Sequence, residues 1–189
     1  MKGSILTPVD TFRLARGENL TVAFPYVLFV VFTHVILASL VSVHIIPVHP
    51  GISLINQTWR STGPFSGIAL IFLLFTAGIF LTFAWGLWLH IWVYVFGGRK
   101  KIQETLKAVI YGSTPFMLFG WIPLVGIAAL LWSVALQAIG IREMQGISPG
   151  RAVLAFLLAA VIILILATIL VGWLWIGVIS YGSIVPLKT

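Results

Sequence analysis

Cysteine is absent from this chain, and only four of its 189 residues are acidic. Without cysteine there is no disulfide framework, no thiol catalysis and no cysteine-ligated metal, and the redox compartment stays undetermined. Charged residues of both signs make up 8% of the sequence, whereas a soluble domain needs about 25% to cover its surface. No P-loop, dinucleotide fingerprint or zinc-ligand spacing occurs. Nothing reads as a cleavable signal peptide. The first apolar run starts near Leu20, after Lys2, Arg13 and Arg16, and it is too long for a signal core.

What is present is apolar. Hydrophobic residues account for 60% of the chain, and the mean hydropathy is +1.14. The missing polar surface must face lipid. The length suits one compact bundle and leaves no room for a separate globular domain. The net charge of +7 falls in short clusters between apolar runs. It therefore reads as a topology signal and as contacts to membrane lipids, anionic headgroups among them, with no nucleic-acid partner.

The pattern predicts an all-α transmembrane bundle of five spans in the cell membrane, N-terminus inside and C-terminus outside. Residues 1–20 form a cytoplasmic tail, 21–181 the membrane domain, and 182–189 a short external tail. In the tail, Thr7-Pro8-Val9-Asp10 is a helix start and Gly17 a stop, giving either a short interfacial helix or a polar arm. Residues 21–46 form the first span and 47–63 an external loop. The second span, 64–96, is capped by Ser61 or Thr62 and stopped by Gly97-Gly98. At helical rise it measures roughly 50 Å, against about 30 Å of hydrocarbon, so it tilts, bends near Gly78 or protrudes. Residues 102–118 and 123–141 form a hairpin broken at Thr114-Pro115, with its turn at Gly120-Trp121-Ile122-Pro123. Its arms are short, so it either crosses fully or re-enters on its own side. Residues 150–178 form the last span. Lys2, Arg13, Arg16, Arg99, Lys100, Lys101, Lys107, Arg142 and Arg151 fall on one side and only Arg60 and Lys188 on the other, which fixes the orientation.

The acids Asp10, Glu18, Glu104 and Glu143 read as tail and loop residues, which leaves the bundle no carboxylate of the kind ion-coupled transporters use. The candidate histidines, His34 and His90, differ in depth by roughly 10 Å at helical rise, too far to share a haem or metal. They read as neutral imidazoles bonded to neighbouring helices, and no cofactor is expected. Trp85, Trp88 and Trp92 share one helix face and read as packing, with a ligand-binding groove as the alternative. A hairpin cavity would be lined by His90, Tyr111, Gly112, Ser113, Thr114, Pro115, Pro123 and Gly126. A contact surface for lipid, other membrane proteins or a second copy would use Arg99, Lys100, Lys101, Lys107, Arg142 and Arg151.

From Trp88 to Ala152 an ordered set of motifs adds to this reading. Leu89-His90, Gly97-Gly98, Thr105-Leu106-Lys107-Ala108 and Tyr111-Gly112-Ser113-Thr114-Pro115 come first. Trp121-Ile122-Pro123-Leu124-Val125-Gly126, Leu131-Trp132-Ser133, Gly140-Ile141-Arg142-Glu143, Gly146-Ile147-Ser148 and Arg151-Ala152 follow. The set resembles the prokaryotic, archaeal branch of the Yip-domain family. The resemblance implies five membrane helices, a cytoplasmic N-terminus and an outward C-terminus. Eukaryotic relatives act in vesicle trafficking and bind small GTPases through a long cytosolic N-terminal region. Here that region is residues 1–20, so the GTPase-binding role is not carried over. The expected function is a non-enzymatic membrane scaffold or adaptor. A passive channel or a small-molecule or lipid transporter is the first alternative, and a cofactor-free accessory subunit the second.

Overall fold

The computed structural model describes residues 8–44 and 64–184. Their helices are α1 (Pro8–Ala15), α2 (Leu20–His44), α3 (Pro64–Val95), α4 (Ile102–Gly112), α5 (Thr114–Phe119), α6 (Val125–Gln145) and α7 (Pro149–Ile184). There is no strand among the described residues. Four helices, α2, α3, α6 and α7, are long and apolar enough to cross a membrane. The expected third span is interrupted before Pro115 as predicted, in two pieces of 11 and 6 residues, the first amphipathic and carrying Glu104 and Lys107.

Helix ends follow local chemistry. α1 begins at Pro8 with Asp10 in its first turn, where proline loses no helical bond and an acid faces the positive end of the dipole. α3 runs unbroken through Gly78 for 32 residues and stops before Gly97, whose φ of +99° disfavours any side chain. α6 runs past the expected end at Ile141 to Gln145. Arg142 and Glu143 therefore lie on a helix and not in a loop, while Asp10 and Glu104 lie in the first turns of α1 and α4, where helices were expected. α7 continues beyond residue 178 to Ile184, into the stretch expected as an external tail. The expected 47–63 loop, the Ser61/Thr62 cap and the Thr7 cap lie outside the described residues.

The hairpin shows how an interrupted helix is kept satisfied inside a bundle. Pro115 has no N–H for the Tyr111 carbonyl, and the Thr114 hydroxyl donates to it instead at 2.7 Å. The Phe116 N–H donates across to the Ser133 hydroxyl of α6 at 2.9 Å. Freed backbone groups are thus re-paired within protein, as membrane depth requires. α6 packs antiparallel on α4 at backbone contact. A Cβ on Gly112 would lie 2.9 Å from the Gln137 backbone, and one on Gly126 would lie 2.7 Å from the Gly120 carbonyl oxygen. Small residues allow this approach where lipid gives helices no hydrophobic drive to associate.

Two apolar cores result. One joins Phe12 of α1 to Leu89, Val93, Met144 and Phe156. The other joins Ala23, Val27 and Val31 of α2 to Ile110. Only 11% of the spanning stretch of α3 and 17% of that of α7 is buried, against 28% for α2 and 33% for α6. The two longest helices are therefore the least covered by their own chain.

Candidate functional site

The polar chemistry gathers at one end, where α1, the α3–α4 connection and the last turn of α6 meet. Lys107 sits at its centre, with its side chain 0% exposed. Its ammonium donates to the Ala15 carbonyl oxygen at 2.7 Å, the Glu18 carbonyl oxygen at 2.8 Å and Glu104 Oε1 at 3.1 Å. Three donors meet three acceptors, so the buried ammonium is fully satisfied. The first bond also places a cation at the negative end of the α1 dipole. Lys107 is therefore not part of the exposed basic surface expected for it. It turns inward because the end of α1 and the turn after it leave carbonyls without intrahelical donors, which the ammonium supplies.

A second lock lies beside it. Glu143 is 8% exposed and bonds both Arg13 Nε and Arg142 Nη2 at 3.2 Å. Phe12 is buried against Gly140, where an added Cβ would lie 2.9 Å from its ring. α1 is thus docked on α6, and is neither a free arm nor only an interfacial helix. A third lock centres on Gln145. Its Nε2 donates to Thr105 Oγ1 at 2.9 Å and its Oε1 accepts from the Lys100 N–H at 3.1 Å. Thr105 also bonds His90 Nδ1 at 2.8 Å. His90 is thereby committed to a neighbouring helix.

Outside these locks the remaining cations form a rim. Arg16, Arg99, Lys100 and Lys101 line a pocket of about 400 Å³ together with Glu18, Asn19, Gln103 and Glu104. Arg99 stacks 4.0 Å from the Tyr94 ring centroid and donates to the Tyr94 carbonyl at 2.8 Å. Of the six residues expected on the contact surface, Arg99, Lys100 and Lys101 come together here. Arg142 is held by Glu143, and Arg151 is exposed beside Gly97. Arg16 joins them unpredicted, brought in by the docking of α1.

Away from this end, α2, α3 and the hairpin line a second, half-open cavity of about 460 Å³, walled mainly by apolar side chains. His34, Ser39, Thr82, Trp85 and Ser113 also line it. Each is bonded within the bundle: His34 Nδ1 to the Met117 carbonyl at 2.9 Å, Ser39 to the Val35 carbonyl at 2.6 Å, and Thr82 to the Gly78 carbonyl at 2.8 Å. Trp85 Nε1 donates to Gln137 Oε1 at 2.9 Å, and Ser113 Oγ to the Val109 carbonyl at 2.8 Å. Of the eight residues expected to line a hairpin cavity, Ser113 lines this one. His90, Tyr111, Gly112, Thr114, Pro115, Pro123 and Gly126 do not. Tyr111 packs edge-on against Tyr26, Thr114 bonds the Tyr26 hydroxyl at 2.6 Å, and the glycines close the α4–α6 seam. The opening lies on the other side of the hairpin, toward α2 and α3. The three tryptophans form the expected packing face: Trp85 lies edge-on to Phe156, and Trp88 lies edge-on to Trp92 and donates to the Ala159 carbonyl.

No curated protein and no solved structure matches this chain. A family model, the Yip1 domain, matches residues 2–171. That span takes in α1, the hairpin with its broken third helix, the three polar locks and most of α7, and the chain belongs to the Yip1 domain family of membrane proteins.

Proposed function

We propose that the protein is a non-enzymatic scaffold or adaptor of the cell membrane, acting by presenting the outer faces of α3 and α7 to other membrane proteins. The observation that carries this reading is the division of labour in the fold. Inner polar groups are spent on holding α1, the hairpin and the helix ends together. The two longest helices leave 11% and 17% burial in their spanning stretches. Membrane helices associate through close packing and interhelical bonds, not through hydrophobic drive. Long faces left uncovered by their own chain are surfaces on which such packing with a neighbour can form.

The same reading assigns topology. The basic rim and α1 face the cytoplasm, by the excess of lysine and arginine at that end. α4 and α5 carry the chain outward and α6 brings it back along the same path. The two arms therefore return to their own side whether they count as a full crossing or a re-entrant pair, and α7 then takes the C-terminus outside.

The test is mass spectrometry of the protein extracted gently from its native membrane. A stoichiometric protein partner is the expected result. Recovery of the chain alone, across several mild extractions, would overturn the adaptor reading. The 460 Å³ cavity favours a second reading, a carrier for an apolar small molecule or lipid chain, since membrane pockets of this size suit such ligands. A co-purifying apolar molecule lost on changing Ala77 to Phe would support it.

A further inference from the structure

The basic pocket at the rim contains two features that point to one ligand. The first is uncommitted positive charge. Arg16, Lys100 and Lys101 line it, and among the described residues their side chains make no ion pair or hydrogen bond. The second is a stranded acceptor. Glu104, in the same wall, uses Oε1 for Lys107, while its Oε2 is buried without a partner. A carboxylate oxygen shielded from water and left without a donor is unfavourable. The pocket thus offers cations for an anion and, beside them, Glu104, whose unpaired oxygen a small rotation of the carboxylate turns toward a donor carried by the same molecule.

The surroundings decide where that molecule comes from. Leu14, two residues before Arg16, is 78% exposed, Tyr94 under Arg99 is 56% exposed, and Ile102 beside Lys101 is 38% exposed. Apolar and aromatic side chains presented outward around a charged mouth mark the plane where headgroups meet hydrocarbon. We infer that this pocket binds the headgroup of an anionic phospholipid of the adjoining leaflet, its phosphate among Arg16, Lys100 and Lys101 and a hydroxyl or ammonium donor at Glu104. The volume of about 400 Å³ suits a phosphate with a small polar substituent. Arg16 reaches the site because Lys107, Phe12 and the Arg13–Glu143 pair dock α1, so the site depends on the docked arm. The proposal deepens the scaffold reading by naming a lipid partner, and it rests on that reading's placement of the basic end against a leaflet.

The test uses the full-length protein in detergent, offered lipids of identical chains and observed by native mass spectrometry. The lipids are phosphatidylcholine, phosphatidylglycerol and phosphatidylmethanol, the last having the charge of the second without its hydroxyls. One phosphatidylglycerol is retained per chain, in clear excess over phosphatidylcholine and several-fold over phosphatidylmethanol. Each cation near a membrane surface is worth roughly fivefold, so R16Q/K100Q/K101Q lowers retention by more than about tenfold. The control R151Q, outside the pocket and outside the locks, leaves it unchanged. Equal losses in both variants would mean diffuse attraction and overturn the site. Equal retention of phosphatidylglycerol and phosphatidylmethanol would remove the role of Glu104. Displacement by millimolar inorganic phosphate would assign the pocket to a soluble anion instead of a lipid. No partner protein enters this measurement, so its failure is separate from failure of the adaptor reading.

Discussion

The two ends of the bundle are built on opposite principles. At the basic end Lys107, Glu143 and Gln145 tie α1, α4, α6 and the α3–α4 connection together through ionic and backbone bonds. At the other end α7 runs from residue 161 to 176 without one buried residue. Within a membrane, apolar side chains gain nothing by leaving lipid for protein. Polar bonds and close backbone contacts therefore decide which segments are fixed, and the apolar remainder is left available to whatever else the membrane holds.

Breaking the central lock has the largest expected effect. Lys107→Met leaves Glu104 and two carbonyls without their donor, and removing one partner of a buried pair costs about 3–5 kcal/mol. Hydrogen exchange in residues 8–19 should rise sharply while that of α6 changes little. Unchanged protection of α1 would show that Phe12 and the Arg13–Glu143 pair hold it without Lys107. Gly112→Ala comes next. The added methyl meets the Gln137 backbone at 2.9 Å, and overpacking of this kind costs about 1–3 kcal/mol. Thermal unfolding in detergent reads the loss.

Gln137→Leu removes the acceptor of Trp85 and the donor to Ser113. Interhelical bonds in membranes are worth about 0.6 kcal/mol on average and up to about 1.7 kcal/mol, so the melting point falls modestly. The indole emission of Trp85 should also shift, since its N–H loses its partner. Leu170→Ala, on the uncovered part of α7, changes the stability of the isolated chain by less than about 0.5 kcal/mol. A large loss in detergent would mean that this stretch is packed after all, and the contrast between the two ends would fail.

The sequence foretold the positions of the helices better than their insides and outsides. Proline and glycine are local signals, so the break at Pro115 and the stop at Gly97 were legible. Gly112 and Gly126, expected to line a cavity, are used by the structure where backbones approach closely. Sidedness was not legible in the spans, because a helix apolar all round shows no periodic face. This hid the fact that α2 and α6 are the covered helices and α3 and α7 the open ones. Lys107, Glu104 and Glu143 were misplaced for a different reason. A charged residue next to a loop is ordinarily solvated, and only the docking of α1, a long-range event, turns these three inward. Arg16 was missed as a pocket residue for the same cause. A cavity was expected at the break because broken helices usually line such sites; the break itself is filled by Ser133 and Tyr26, and the cavity lies between the hairpin, α2 and α3.

The account depends most on the claim that the open faces of α7 and α3 meet another protein. A photo-crosslinking residue placed at Leu166 or Leu170 of α7, activated in native membranes, reads this directly. The account predicts a discrete protein adduct from these positions and none from Ala155 or Ala159, which are buried in the bundle. Adducts to lipid alone from every exposed position of α7 would contradict it.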